Sequence, residues 1–284
     1  MTMKPVRLRS SRCGSAAHIR NAVTSLACWS SVDLVPSSKV GAGAGAPSRM
    51  AFTHRARSRA VPASAAADNS VFATVDPTAQ QTLAEVARGK KADVDRAVQA
   101  ARGVFDRGDW SQASPAQRKA VLHKFADLME AHREELALLE TLDTGKPIRH
   151  SLRDDVPGAA RAIRWYAEAI DKVYGEVAPT GGNELAMIVR EPIGVIAAVV
   201  PWNFPLLLAR WKLGPALASG NSVVLKPSEK SPLTALRLAG LAKQAGLPDG
   251  VFNVVSGFGH EAGQALAQHH DVEVITFTGS TRTG

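Results

Sequence analysis

Residues 195–229 of this 284-residue chain, VIAAVVPWNFPLLLARWKLGPALASGNSVVLKPSE, place two short apolar runs on either side of a longer apolar stretch. The runs Val195–Val200 and Ser222–Leu225 are typical of strands that are covered on both faces. The stretch between them, residues 204–219, is long enough for a helix and has a proline where the first turn would begin. This segment therefore predicts a strand–helix–strand unit with parallel strands.

The same alternation continues toward the C-terminus. Apolar runs at Val251–Val255 and Val272–Phe277 predict two more strands, and residues 232–245 and 261–269 predict the helices that join them. Strand–helix–strand units repeated in this way build an α/β fold with a doubly wound parallel sheet of the Rossmann-like type. Such sheets bind ligands at the carboxyl ends of their strands, so the residues that follow each strand become the candidates for a site.

The part of the chain before this sheet is predicted to be mainly helical. The predicted elements are a strand at 71–77, helices at 93–105, 115–145 and 159–173, and a hairpin at about 174–192 with its turn at Gly181-Gly182-Asn183. Ser114 and Gln117 form a capping-box pattern around Pro115, and Gly145 marks the end of that helix. In the same way, Ser231 is expected to cap the helix over 232–245.

The excess of positive charge in the chain lies in its first quarter. Residues 1–70 hold ten Lys and Arg against two Asp, whereas the remaining residues carry equal numbers of basic and acidic groups, for a net charge of +8 overall. A neutral body gives no support for nucleic-acid binding. No apolar stretch is long enough to predict a spanning helix, so we expect no membrane partner.

Residues 1–63 form a basic leader that is rich in Arg, Ser and Ala and shows no helical or strand periodicity. Its composition resembles a transit peptide, and the alternatives are a disordered leader or a mis-called start with non-native sequence. Both cysteines, Cys13 and Cys28, lie in this leader without a spacing that would suit a metal. We therefore expect no metal site and no disulfide framework.

Two of the predicted strands are followed by polar residues that could take part in binding or catalysis. Asn203, between Pro201 and Pro205, could donate its amide to an oxygen that gains negative charge, although spacing alone favours a simpler role as a helix cap. Lys226 and Glu229 could hold ribose hydroxyls, and the carboxylate would favour NAD over NADP because it repels a 2′-phosphate. The alternative is a surface ion pair worth less than about 1 kcal/mol.

Two glycine patterns compete for a pyrophosphate. Residues 257–262 match G-x-G-x-x-G/A between a strand and a helix, but no acidic residue stands at the expected distance of about twenty positions further on. Residues 279–284 follow the strand Val272–Phe277, and a helix beginning there would offer free N–H groups and the Ser280 hydroxyl to an anion. Pattern matching alone favours the first.

Taken together, six motifs in order and spacing resemble the aldehyde dehydrogenase family. The motifs are Glu140–Pro147, Pro201-Trp202-Asn203-Phe204-Pro205, Trp211–Leu217, Gly220-Asn221, Lys226-Pro227-Ser228-Glu229 and Phe277-Thr278-Gly279-Ser280-Thr281. The resemblance covers Ala65–Gly284. Within the family, residues 158–175 resemble those members that oxidise aminoaldehydes in putrescine breakdown, so the implied substrate is a small aldehyde such as γ-glutamyl-γ-aminobutyraldehyde.

The resemblance assigns roles to residues at the strand ends. It implies that Asn203 helps to form an oxyanion hole, that Lys226 and Glu229 hold the adenosine ribose, and that Ser280, rather than the pattern at Gly257, lies near the pyrophosphate. The further cofactor residues that it implies are Val200, Pro201, Trp202, Ser228, Gly259, Gly263, Phe277 and Gly279. It also implies NAD as cofactor with NADP possible, a homodimer or homotetramer, and a cytoplasmic location. Trp211 and Asp143 are weaker candidates for an aldehyde channel.

The sequence departs from the family pattern in one respect. The segment with the general-base Glu and the nucleophilic Cys are expected after Gly284, and the cysteines of the leader precede every family motif. We therefore predict that residues 64–284 form an incomplete NAD-binding domain without its catalytic domain, poorly soluble or dependent on a partner and inactive alone. The alternative is a non-catalytic nucleotide-binding or oligomerisation fragment that uses the hairpin as an edge.

Overall fold

The computed structural model describes residues 65–281; the predicted leader with Cys13 and Cys28, and Arg282–Gly284 of the second glycine pattern, lie outside this range. No helix within this range is long and apolar enough to cross a bilayer. The strands are β1 (Val71–Asp76), β2 (Gln81–Ala87), β3 (Glu176–Ala178), β4 (Ala186–Ile188), β5 (Val195–Val199), β6 (Ser222–Lys226), β7 (Phe252–Val254) and β8 (Val274–Phe277). The α-helices of four or more residues are α1 (Lys91–Arg107), α2 (Pro115–Ala131), α3 (Arg133–Thr144), α4 (Val156–Ala169), α5 (Pro205–Ala218), α6 (Leu233–Ala245) and α7 (Gln264–Ala267).

The centre of the fold is a four-stranded sheet in the order β7-β6-β5-β8. Every neighbouring pair in it is parallel, with Val195 beside Ser222 and Ile196 beside Val274. Helices α5 and α6 connect β5 to β6 and β6 to β7. The prediction of a doubly wound α/β sheet from the segment 195–229 is therefore confirmed.

Alternating side chains of the strands bury both faces of this sheet. On β5, Val195 and Ala197 pack with α1, whereas Ile196 and Ala198 belong to the larger core formed with α2, α4, α5 and α6. Because each face is covered, every position of β6 is buried and the strand contains no polar–apolar alternation. This double burial is the physical reason for the continuous apolar runs in the sequence.

The order of the strands creates a switch point between β5 and β8. From β5 the chain moves outward through β6 to β7, and then crosses back to add β8 on the opposite side of β5. Doubly wound sheets bind ligands at such a switch point, in the crevice outside the carboxyl ends of the strands.

Two antiparallel hairpins lie outside the central sheet. β1 pairs with β2, a strand that sequence periodicity did not indicate because its exposed and buried positions alternate irregularly. β3 pairs with β4 inside the predicted hairpin at 174–192, and every residue of β4 is exposed.

Three helix predictions need correction. The helix expected over 115–145 begins at the capping box of Ser114 and Gln117, as predicted, but it divides at His132, whose backbone leaves helical geometry. The break orients α3 so that Glu135 reaches Arg237 of α6 at 2.9 Å. The helix expected over 261–269 is instead a π-helical turn, Gly259–Gly263, followed by the short helix α7.

Ser231 does not cap α6, which is the third correction. Its hydroxyl lies 3.4 Å from the carbonyl of Trp202, and the first N–H of the helix, that of Leu233, donates to Asp143 of α3 at 2.8 Å. A carboxylate from a distant helix has taken the role that we assigned to the local serine. This cap also explains why Asp143 is buried, since its other oxygen accepts from Thr74.

Candidate functional site

The carboxyl ends of β5, β6 and β8 lie together at one edge of the sheet. The N–H of Val200 donates to the carbonyl of Lys226 at 3.2 Å, and the N–H of Thr278 donates to the carbonyl of Val199 at 3.1 Å. The sheet thereby gathers three groups of predicted residues: Val200, Pro201, Trp202 and Asn203 after β5; Lys226, Ser228 and Glu229 after β6; and Phe277, Gly279 and Ser280 after β8.

Asn203 stands exposed at the exit of β5. The cap residue of α5 is Phe204, and no side chain caps this helix. The capping role that spacing favoured for Asn203 is therefore wrong. Its amide remains at the mouth of the crevice, next to the exposed rings of Trp202 and Phe204.

Lys226 is the buried charge of the site. Its side chain is only 4% exposed, and its ammonium lies 3.6 Å from Glu229 and donates to the carbonyl of Pro227 at 3.0 Å. Burial lowers the pKa of this lysine, and the neighbouring Glu229 opposes the shift. The alternative prediction was a surface ion pair. The pair differs from that alternative because the ammonium of Lys226 is buried, and the two side chains present one donor and one acceptor at the same edge of the sheet.

The glycines around this edge have different tasks. A methyl group on Gly257 would stand 2.4 Å from the carbonyl oxygen of Gly89, so this glycine permits two backbone segments to cross. In contrast, nothing lies within 4 Å of such a group on Gly259, and one on Gly263 would meet only the stem of Lys226 at 3.9 Å. Gly279 packs against the ring of Phe277. The space at Gly259 and Gly263 is thus open toward Lys226.

A buried acidic group lies behind the β5 exit. Glu140 of α3 accepts from the N–H of Leu206 at 3.3 Å through one oxygen, while its second oxygen has no hydrogen-bond partner among residues 65–281. Burial raises the pKa of Glu140 to about 7, against the opposing effect of Lys146 at 3.6 Å. Lys146 also lies 4.6 Å from the ring centre of Phe204. Asp143 is buried in the contacts to Thr74 and α6 described above, away from the exposed edge.

The raised pKa of Glu140 predicts a pH-dependent stability. The unfolded chain releases the proton of Glu140 near the usual pKa of 4.5, whereas the folded state keeps this proton until the pH reaches about 7. The stability that protonation provides is present at low pH and disappears as the pH rises through about 7. We expect the gain in free energy of unfolding from Glu140→Gln to be larger at pH 8 than at pH 5, as measured by urea titration at each pH. The exposed Glu134→Gln is the control, and an equal effect of E140Q at both pH values would contradict the prediction.

Lys212 is a residue of this edge that lies within the motif Trp211–Leu217 but to which the sequence analysis assigned no role. It is buried on α5, and its ammonium donates to the hydroxyls of Thr276 at 3.1 Å and Thr278 at 2.9 Å. Burial lowers its pKa. This lysine ties α5 to the end of β8 across the switch point and so fixes the loop that carries Gly279. The signal in the sequence was a lysine inside the largely apolar stretch 204–219.

A parallel sheet with polar groups at its switch point defines the class of doubly wound α/β proteins that hold a ligand at the strand ends. The sequence profile described as Aldehyde dehydrogenase family matches residues 64–284. The chain belongs to the aldehyde dehydrogenase family.

Individual relatives agree with this membership. The chain is 80% identical over 220 residues to the NADP/NAD-dependent aldehyde dehydrogenase PuuC of Escherichia coli K12, covering 78% of this chain and 44% of that protein. Among solved structures, it is 58% identical to the γ-glutamyl-γ-aminobutyraldehyde dehydrogenase of Burkholderia cenocepacia, with a TM-score of 0.76 over 78% of this chain and 44% of that one. An indole-3-acetaldehyde dehydrogenase variant of P. syringae in complex with NAD+ gives 58% identity and a TM-score of 0.77 over the same shares. The chain therefore spans less than half the length of these relatives.

Proposed function

We propose that residues 64–284 form the NAD-binding domain of an enzyme that oxidises an aldehyde to the carboxylic acid. The observation that carries this proposal is the convergence of Asn203, Lys226 with Glu229, and Ser280 on one edge of a parallel sheet beside its switch point. The finer proposal is an aminoaldehyde substrate such as γ-glutamyl-γ-aminobutyraldehyde. It is supported by the likeness to the Burkholderia cenocepacia enzyme and by that of residues 158–175 to its branch.

The residues present fit a dinucleotide. Lys226 and Glu229 offer a donor and an acceptor for the hydroxyls of a ribose, and the open space at Gly259 and Gly263 beside them leaves room for the adenosine end. Ser280 and the N–H groups near it are the candidates for the pyrophosphate. Val200, Pro201, Trp202, Ser228, Phe277 and Gly279 are proposed to line the same cofactor site. Glu229 favours NAD, and NADP remains within the proposal because the carboxylate is partly exposed and can move.

In this proposal the chain's own residues bind and orient the reactants. When bound, NAD supplies the hydride acceptor. The amide of Asn203 is proposed to donate to the oxygen of the aldehyde as that oxygen gains negative charge, and a donor fixed for this purpose contributes about 3 kcal/mol. Phe204 and Trp211 offer apolar surface for the carbon chain of the substrate next to Asn203. The nucleophile and the general base that the family uses are not assigned to any residue of this sequence.

Titration with NAD tests the cofactor half of the proposal. We expect Glu229→Ala to weaken NAD binding about tenfold or more, because hydrogen bonds to a charged group contribute about 1.5–3 kcal/mol. Ser280→Ala is expected to have a smaller effect, since backbone N–H groups would still contact the phosphates. Calorimetry provides the measurement, and Glu184→Ala in the exposed hairpin turn is the control. Unchanged affinity in both Glu229→Ala and Ser280→Ala would show that the site is misassigned.

A second candidate function is assembly through the hairpin β3–β4. Apolar side chains project from this hairpin into solvent; they are Val177, Leu185, Met187, Ile188 and Val189. An exposed hairpin with apolar side chains and unpaired edges favours pairing with a second chain. A homodimer or homotetramer built on this hairpin is the form that we propose, and light scattering that finds only monomers at micromolar concentration would count against it.

A further inference from the structure

Two arginines from neighbouring helices meet at Gly158 of α4. The terminal nitrogens of Arg210 and Arg161 lie 3.0 and 3.8 Å from the point where a Cβ on Gly158 would stand. A terminal N–H of Arg210, on α5, donates to the carbonyl oxygen of Gly158. The missing side chain at position 158 therefore provides the space into which both guanidinium groups extend.

This pair of positive charges has no acidic partner in the part of the chain that the structure describes. Asp155 attracts Arg210 from beyond ion-pair distance but binds Lys146 at 2.8 Å, and Asp127 binds Arg164 at 2.6 Å. The Nε of Arg210 is buried and has no hydrogen-bond partner among residues 65–281. Two guanidinium groups side by side repel each other, and a buried donor without an acceptor costs free energy, so the arrangement favours an anion that satisfies both.

Arg210 lies on the helix that begins just after the proposed reaction centre, and Arg161 reaches it from α4. Asn203 lies two residues before α5 begins at Pro205, and Arg210 is the sixth residue of that helix, which places it roughly 8 Å along the helix axis from Pro205 and on the order of 10 Å from Asn203. Apolar side chains flank this segment: Leu207, between Asn203 and Arg210 in the chain, lies 3.4 Å from the Gly158 Cβ position, and the ring of Trp211, 58% exposed, lies 5.3 Å from the guanidinium of Arg210. The face thus has a polar donor at one end, apolar side chains along it and two cations at the other end.

We propose that Arg161 and Arg210 bind a carboxylate at the far end of the aldehyde substrate. The inference rests on the proposed function, because it takes Asn203 as the end at which the aldehyde group lies. A planar carboxylate can accept from two guanidinium groups at once, and Arg is suited to this geometry. The substrate class is then a linear aldehyde whose carboxylate stands on the order of 10 Å from the reacting carbon, in keeping with the separation of Asn203 and Arg210. Simple aliphatic aldehydes would lack this anchor.

The test uses a ligand that binds without reacting. The probe is the amide of the glutamate side chain with 4-aminobutanol, which carries the carboxylate but an alcohol in place of the aldehyde; its partner has that carboxylate converted to a primary amide. We expect the carboxylate form to bind the wild-type chain at least about tenfold more tightly, since charge-assisted pairs are the stronger hydrogen bonds. Arg161→Gln should abolish this preference while leaving the affinity for the amide form unchanged. Calorimetry or the fluorescence of the exposed tryptophans reports the binding.

Controls separate this inference from folding and from the proposed function. Arg164→Gln, on the same helix but paired with Asp127, is expected to retain the preference. Arg210→Gln should also lose it, but this variant removes a contact to Gly158, so the exposed Arg161 decides the outcome. Equal binding of the two forms, no binding of either, or an equal loss in R161Q and R164Q would overturn the inference. NAD titration of the same R161Q protein reports independently on the cofactor site, so a failure there would contradict the proposed function alone.

Discussion

Replacing Trp110 with alanine is expected to lower the free energy of unfolding by about 4 kcal/mol, the cost of removing a large buried aromatic side chain. Trp110 is 2% exposed in the connection between α1 and α2, and its indole N–H donates to the carbonyl of Leu217 at 2.9 Å. That carbonyl is one of the last of α5 and lies beyond the regular helical hydrogen bonds, where it also accepts from the N–H of Gly220 at 3.1 Å. The substitution therefore removes both apolar packing and a helix-end partner. For a domain of this size the melting temperature should fall by roughly 10 °C.

Conservative replacement distinguishes the two contributions. Trp110→Phe retains most of the apolar surface but loses the N–H donor, so we expect about 1–2 kcal/mol from the lost hydrogen bond and the smaller ring. Urea unfolding followed by circular dichroism is the measurement, because the substitution itself alters tryptophan fluorescence. If Trp110→Ala costs less than about 1 kcal/mol, the packing of the α1–α2 connection against α5 is not as described.

A second large effect is expected at Gly257. An alanine there would bring its methyl group to 2.4 Å from the Gly89 carbonyl oxygen and 3.0 Å from the Cβ of Ala262. Since the first neighbour is backbone, held by the bond from the N–H of Gly89 to the carbonyl of Ser256 at 2.8 Å, it cannot move aside cheaply. We expect Gly257→Ala to destabilise the chain by about 2–3 kcal/mol, at the upper end for overpacking.

Gly259→Ala is the matched control, two residues away in the same motif. Nothing lies within 4 Å of its Cβ position, so its stability should change by less than about 0.5 kcal/mol. If Gly259 faces the cofactor, as proposed, the same variant should weaken NAD binding while it remains folded. A stable Gly257→Ala variant, or a strongly destabilised Gly259→Ala variant, would show that the two glycines have been assigned the wrong roles.

The two glycines also show that packing alone can account for the first glycine of this motif. The G-x-G-x-x-G/A pattern at residues 257–262 has its first glycine because two backbone segments cross at Gly89, a requirement of packing. No dinucleotide is needed to account for it. A sequence pattern cannot distinguish a glycine that makes room for a neighbouring backbone segment from one that makes room for a phosphate, because both positions require only the absence of Cβ.

Local signals determined the elements whose causes are local. The capping box of Ser114 and Gln117 begins α2 where it was predicted, and Gly145 ends α3 with the positive φ that favours glycine. Other features depended on residues distant in sequence. Asp143, rather than Ser231, caps α6 across ninety positions, and the break at His132 places Glu135 against Arg237. The sequence carries no local mark of either contact.

By itself, the segment 195–229 determined the parallel α/β sheet, because strands buried on both faces are apolar at nearly every position and this requirement is visible without a structure. Its motifs also determined the family. Only the tertiary structure decided which polar residues lie together: Lys226 with Glu229 and Gly263, Lys212 with the end of β8, and Arg161 with Arg210. The physical reason is that side chains from separate elements meet only after helices pack on the sheet, and the sequence records the charge of each residue but not the neighbour that compensates it.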